Sequence, residues 1–267
     1  MERGYRLNLR GDFVEGIKGP LFTNGFRTKV NQTLQMAERA KQRQKDMFES
    51  MTGSLTQFIN DDGVVDGDSV LSDYFPTIEA DVFISHSHND LNMALALSQW
   101  LFEEFGLIAF VDSYIWGSGD KLIRMLDDKY CYKPERRIYD YDKRNLTTSF
   151  IHLMLASAIS TTIDSCPCLM FINSPNSMSG NPGGNKTGSP WIFYELLMAK
   201  LLQRKEPETR MFAHGGILNE SLEFKIEKSV PVDNLRQLSI EDLKSWQEVS
   251  DDMSPRKALD YLFKYYK

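Results

Sequence analysis

Residues 80–111 read ADVFISHSHNDLNMALALSQWLFEEFGLIAFV, and the reading of this run decides the fold. Ala80 to Ser85 is a short apolar segment with branched and aromatic side chains, the pattern of a buried strand. Asn89 or Asp90 can then cap a helix over Leu91 to Phe105, which Gly106 closes. Leu107 to Val111 is a second buried strand. Strand, helix and strand with tight joints form a parallel crossover unit, because parallel neighbours need a long connection between them. Two further apolar runs, Leu169 to Ile172 and Phe224 to Ile226 or nearby, separated by helices, extend the pattern to an α/β fold with an open sheet. Ligands of such sheets bind beyond the carboxyl ends of the strands. Ser85 to His88 and Asp112 to Asp120 fall there.

Upstream of this unit the character changes. Met1 to Gly25 is Gly-rich and without clean periodicity, apart from a short strand pattern around Tyr5 to Leu9. From Thr28 to Asn60 the chain is rich in Gln, Lys, Glu, Met and Ala without Pro, and Leu34, Phe48, Met51, Leu55 and Phe58 give a helical apolar stripe. A face that apolar must be covered by the rest of the chain or by a second copy. Asp61 to Val70 reads as a polar linker; its density of Asp suggests a calcium loop, but position twelve from Asp61 is Ser72, where an EF-hand requires Glu. The sequence therefore divides into a helical extension with linker over 1–77 and an α/β domain with C-terminal helices over 78–267.

The chain has 267 residues, 42% hydrophobic and 25% charged, with a net charge of -6. That balance, with a pI near 5.4, argues against a nucleic-acid footprint. The amino terminus lacks the apolar segment of a secretory signal, and no stretch reads as a membrane span. Three cysteines, Cys131, Cys166 and Cys168, suit a reducing compartment rather than a disulfide framework. The expectation is a cytoplasmic protein without nucleic-acid or membrane partners.

One helix carries a charge in an unexpected place. Ser189 to Gln203 reads SPWIFYELLMAKLLQ, with Ser189 as N-cap and Pro190 as first helical residue. At 100° per residue, Glu195 falls among Trp191, Ile192, Met198, Ala199 and Leu202. A carboxyl desolvated there has a raised pKa, and such groups collect at functional sites. The plainer alternative is an acid near the helix N-terminus that snorkels outward.

Three motifs together resemble the Toll/interleukin-1 receptor (TIR) domain family. Asp81-Val-Phe-Ile-Ser-His-Ser-His-Asn-Asp90 looks like that family's first strand and loop. Asp112-Ser-Tyr-Ile-Trp-Gly-Ser-Gly-Asp-Lys-Leu122 is similar to its second strand exit and BB loop, and Trp191-Ile-Phe-Tyr-Glu-Leu196 to its Trp-x-x-x-Glu-Leu helix. The likeness covers about Ile78 to Leu202. It departs in the Tyr-, Arg- and Asp-rich segment from Lys129 to Phe150 and in the long loop from Ser174 to Ser189. The resemblance implies a flavodoxin-like open parallel sheet. It implies Glu195 as the catalytic carboxylate of an NAD-cleaving enzyme, a nucleosidase or ADP-ribosyl cyclase of the bacterial anti-phage (Thoeris-like) kind. Ser85, His86, Asp112, Tyr114, Trp116, Gly119, Asp120 and Trp191 are then substrate-binding candidates. NAD is substrate rather than cofactor, no metal is called for, and the partners are further copies of the chain and an effector that senses the product. In the BB loop reading, Gly117 and Gly119 supply backbone freedom and Asp120 caps a helix from Lys121. A non-catalytic adaptor acting by self-association, with Glu195 structural, is the alternative.

Other motifs are weaker. Gly180 to Thr187 is one residue from a phosphate-binding loop, with Asn185 where Gly is required, and lies too far from both its strand and its helix. Cys166 and Cys168 with His86 and His88 offer metal-ligand types, but the cysteine spacing is unusual for zinc and buried thiols are the simpler reading. His152 reads as a core residue of an apolar helix over Ile151 to Ile159. No Ser-His-Asp arrangement is legible.

Overall fold

The apolar runs assemble into one sheet in a computed structural model that describes residues 3–8, 58, 65–75, 79–179, 185–202 and 227–266. Strands β1 (Arg3–Asn8), β2 (Val82–Ser85), β3 (Ala109–Val111), β6 (Cys168–Asn173) and β9 (Arg236–Leu238) lie in the order β3-β2-β6-β1-β9, and every neighbouring pair is parallel. Two small antiparallel pairs stand apart from it: β4 (Tyr132–Lys133) with β5 (Ile138–Tyr139), and β7 (Lys186–Thr187) with β8 (Lys228–Ser229).

The helices are α1 (Gly67–Tyr74), α2 (Leu91–Phe105), α3 (Ser113–Leu126), α4 (Tyr141–Ser165), α5 (Pro190–Leu202), α6 (Ile240–Val249) and α7 (Pro255–Tyr265). They cover both faces of the sheet, and the strands alternate accordingly. Val82, Ile84, Val111, Met170 and Ile172 share a core with residues of α2, α6 and α7. Phe83, Phe110, Leu169 and Phe171 point the other way, into a core shared with α1, α3, α4 and α5. Burial on both faces is why these strands read as continuous apolar runs rather than as alternating ones. The expected α2 is found with its boundaries, and Gly106 closes it in the left-handed region at φ 68°.

Several expectations are corrected. The first strand is not an appendage: Arg3–Asn8 pairs with both β6 and β9, and Tyr5 and Leu7 are fully buried. The division at residue 77 therefore does not separate this strand from the α/β unit. The expected strand at 224–226 and all of the expected helix at 28–60 except Phe58 lie outside the described residues. The polar linker ends in a helix, because the Asp66 carboxylate accepts from the backbone of Asp68 and Ser69 and caps α1, while Val70 and Phe75 reach the core.

The stretch expected as a BB loop is helical from Ser113, eight residues before the expected start at Lys121. Gly119 is buried within α3, where an added Cβ would lie 3.5 Å from Leu155 and 4.0 Å from Ile151 of α4. It lies in helical backbone where α3 meets α4 rather than in a loop. Asp120, expected as a cap, is exposed in mid-helix. Helix α4 runs far beyond the expected 151–159, and an 18-residue stretch of it with a mean hydropathy of 1.4 makes it long and apolar enough to cross a membrane by length and composition, against the expectation of no such stretch. Core helices meet that criterion too, and α4 buries Ile151, Leu155, Ile159 and Ile163. His152 is exposed on this helix, edge-on to the Trp191 ring with centroids 5.7 Å apart, not in the core.

Candidate functional site

Four of the sequence candidates meet at the carboxyl ends of β2 and β3. Ser85 is the last residue of β2 and His86 follows it; Asp112 follows β3; Glu195 reaches them from α5. The helix is started by Ser189, whose Oγ accepts from the Ile192 backbone at 3.3 Å. Its buried face consists of Ile192, Glu195, Leu196 and Ala199. The one charged member of that face is therefore pressed onto the sheet.

Glu195 has 0% exposure. Ser85 Oγ donates to Glu195 Oε2 at 2.6 Å, whereas Glu195 Oε1 has no hydrogen-bond partner among the described residues. Burial pushes its pKa well above the ordinary carboxyl value, and the neighbouring Asp112 pushes it further, against a smaller lowering by Ser85. No Lys or Arg enters that balance. A carboxyl beside a second one gives up its proton less readily, and Glu195 is the one whose affinity for a proton is raised. A cationic group arriving beside Glu195 would favour its ionised form.

Asp112 is also buried, at 4% exposure. It stands at the N-cap position of α3 yet makes no side-chain cap bond there. Its carboxyl turns instead to Glu195 and to His86, with Asp112 Oδ1 3.2 Å from His86 Nδ1. His86 Nδ1 also lies 3.3 Å from Ile84 O, and Nε2 lies 2.8 Å from Ser113 Oγ. A backbone carbonyl only accepts, so Nδ1 bears hydrogen, and in the neutral ring Nε2 accepts from Ser113. A serine, a histidine and an aspartate thus come together in an arrangement that was not legible in the sequence. Ser113 was the residue missed, and its signal was its place: first in a helix, directly after an acid at a strand end.

Trp191, Gly119 and Asp120 are not gathered here. Trp191 is half-buried, with its ring against His152 and Tyr194 on the α4 side of α5. Gly119 faces α4 and Asp120 faces solvent. The side chains of Tyr114 and Trp116 lie outside the described residues.

The rim of the site is tied together across the sheet. Ser174, just after β6, donates through its hydroxyl to Asp90, and Asn176 Nδ2 donates to the same carboxylate at 2.7 Å. Asp90 belongs to the short turn that follows His86. This link spans β2 and β6, between which the strand order reverses direction along the chain, and such switch points are where open sheets bind ligands.

Of the weaker motifs, residues 180–184 lie outside the described residues, and Lys186 and Thr187 sit in β7 instead of starting a helix. Cys166 and Cys168 are buried free thiols, and burial pushes the Cys166 thiol up to about 12. Among the described residues no group of three or more His, Cys, Asp and Glu is placed to hold a metal ion.

No family model, curated protein or solved structure matches this chain. The site must be judged on its own geometry. A buried carboxyl can stabilise a developing positive charge once ionised, and a histidine holding a serine hydroxyl can move a proton.

Proposed function

We propose that the protein cleaves the bond between nicotinamide and ribose in NAD, with Glu195 as the catalytic carboxylate. The observation that carries this reading is Glu195 itself: a fully buried carboxyl at the carboxyl edge of the sheet, without a cationic partner among the described residues. Nicotinamide in NAD is already cationic and leaves as a neutral base, taking the bonding electrons from the ribose carbon. The protein need only hold the ribose, balance charge on an oxocarbenium-like transition state and admit the acceptor. Glu195 in its ionised form supplies the balancing charge, and Ser85 fixes the orientation of one of its oxygens.

The resemblance to TIR domains adds support through the order β3-β2-β6, which matches the first three places of a flavodoxin-like sheet counted from β2. The fourth place is taken by β1 from the start of the chain, a departure from that pattern. Self-association through the α/β unit, an effector that responds to an ADP-ribose or cyclic ADP-ribose product, and a cytoplasmic anti-phage role belong to the same proposal.

The test is nicotinamide release from NAD by the purified chain, with products identified by mass. Glu195→Gln keeps the size of the side chain and removes its charge, so turnover should fall by about 100-fold or more while the circular dichroism spectrum is unchanged. A folded Glu195→Gln protein that retains near-normal turnover would disprove the catalytic role. If the unaltered chain releases no nicotinamide, the NAD reading itself fails.

A further inference from the structure

Ser113, His86 and Asp112 form an ordered chain that the proposed NAD chemistry does not require. Ser113 Oγ lies 2.8 Å from His86 Nε2, within the range of a nucleophile bonded to its base. On the far side of the ring, Nδ1 is held by the Ile84 carbonyl at 3.3 Å and stands 3.2 Å from Asp112 Oδ1. The carbonyl fixes the tautomer, and the aspartate carboxyl is placed to stabilise the imidazolium that forms when Nε2 takes a proton. His86 and Asp112 are buried, at 4% exposure each, whereas Ser113 is only partly so. The base and its support are shielded from water, and the hydroxyl is reachable.

The placement of Ser113 adds to this. It is the first residue of a 14-residue helix that leaves the carboxyl end of β3. The unpaired N–H groups of a first helical turn favour negative charge beside them, as on the oxygen of a tetrahedral intermediate. The Asp112 carboxyl is turned toward the histidine, with Oδ1 3.2 Å from Nδ1. The acid directly before the serine disfavours an anionic phosphoryl group and favours an uncharged acyl group.

We infer that Ser113 is an activated nucleophile, with His86 as its general base and Asp112 as the group that supports His86, and that it accepts acyl groups from uncharged carboxylic esters. In the first step Ser113 Oγ bonds to the carbonyl carbon and its proton passes to His86 Nε2. The ester C–O bond then breaks, and the departing alcohol oxygen takes that proton. Water enters by the same route, giving its proton to His86. The bond from acyl carbon to Ser113 Oγ breaks, and the proton returns to the serine. Ester and water are consumed, acid and alcohol are formed, and no other reactant is needed.

The test uses the full chain and a neutral alkyl fluorophosphonate, which transfers its phosphonyl group to activated serines with loss of fluoride. One adduct is expected on the native protein, mapped by peptide mass to Ser113, and none at that position on the urea-unfolded chain, where the histidine no longer accompanies the serine. Ser113→Ala should abolish the adduct. His86→Gln should slow it about 100-fold or more, and 4-nitrophenyl butyrate hydrolysis should fall in parallel. A native chain that gives no Ser113 adduct overturns the inference, as does one labelled there equally when unfolded or equally fast in a folded His86→Gln protein. The assay contains no NAD, so its result stands apart from that of the nicotinamide-release experiment.

Discussion

The pairing of Glu195 with Asp112 ties the site to pH at the level of single residues. Burial is the larger cause of the raised Glu195 pKa and Asp112 the next, so Asp112→Asn should lower that pKa without restoring the ordinary value. An NAD cleavage rate that depends on ionised Glu195 rises with pH through this pKa, and in Asp112→Asn the rise should move to lower pH. Stability carries the opposite sign. A carboxyl whose folded pKa exceeds its unfolded value favours the fold while protonated. Its contribution is fully present below the unfolded value, shrinks as pH rises between the two values, and is gone above the folded one. Urea unfolding at about pH 4.5 and at pH 8 should therefore show a loss of stability on going up in pH from this pair, and a smaller loss in Asp112→Asn. An unchanged pH profile and an unchanged difference between the two pH values would show that the two carboxyls do not communicate. The sequence made Glu195, Ser85, His86 and Asp112 legible as candidates because each lies at a strand end or on an apolar helix face. It left Ser113 unread, since the link between a serine and a histidine 27 positions away exists only once β2 and β3 are paired.

At the scale of elements, helix α3 illustrates where pattern reading stopped. Two glycines and an aspartate between Trp116 and Lys121 carry the marks of a loop, and local propensity alone favours that reading. Tertiary packing overrides it: Gly119 is buried where α3 meets α4, close to Leu155, Ile151 and Phe75. By contrast, α2 was legible with its ends, since its cap, its apolar face and Gly106 all agree. The space around Gly119 yields a prediction. A Cβ there meets Leu155 at 3.5 Å, Phe75 at 3.9 Å and Ile151 at 4.0 Å, which is ordinary contact, and alanine is the better helix former by about 0.5–1 kcal/mol. Gly119→Ala should therefore raise Tm by about 1–4 °C with no loss of nicotinamide release, whereas Gly119→Pro should break the helix and lower Tm. A Gly119→Ala protein with a lower Tm would mean that the α3–α4 contact cannot give by even a methyl group.

At the scale of the whole molecule, the first strand decides what counts as a folding unit. A chain cut at residue 77 looks in sequence like an independent α/β domain preceded by an extension, because the six residues of β1 are too few to show a period and are followed by a long stretch of different character. Yet β1 sits between β6 and β9, pairing with β6 along all six of its residues from Arg3 to Asn8. It sends Tyr5 and Leu7 into the core beneath α7, where the Tyr5 hydroxyl donates to the Leu262 carbonyl at 3.2 Å. Removing it would strip the backbone partners from both neighbours and open a cavity lined by Met170, Ile172, Leu238 and Leu262. Large-to-small changes at single buried positions cost about 2–5 kcal/mol, so losing two such side chains together with two ladders is comparable to the roughly 5–15 kcal/mol that holds a domain folded. A chain starting at Ile78 should accordingly be insoluble or lack a cooperative thermal transition. Leu7→Ala in the full chain should unfold at lower urea, by about 2–5 kcal/mol. A chain from Ile78 that is soluble, monodisperse and unfolds with the same Tm as the full protein would show that β1 is dispensable and restore the boundary at residue 77.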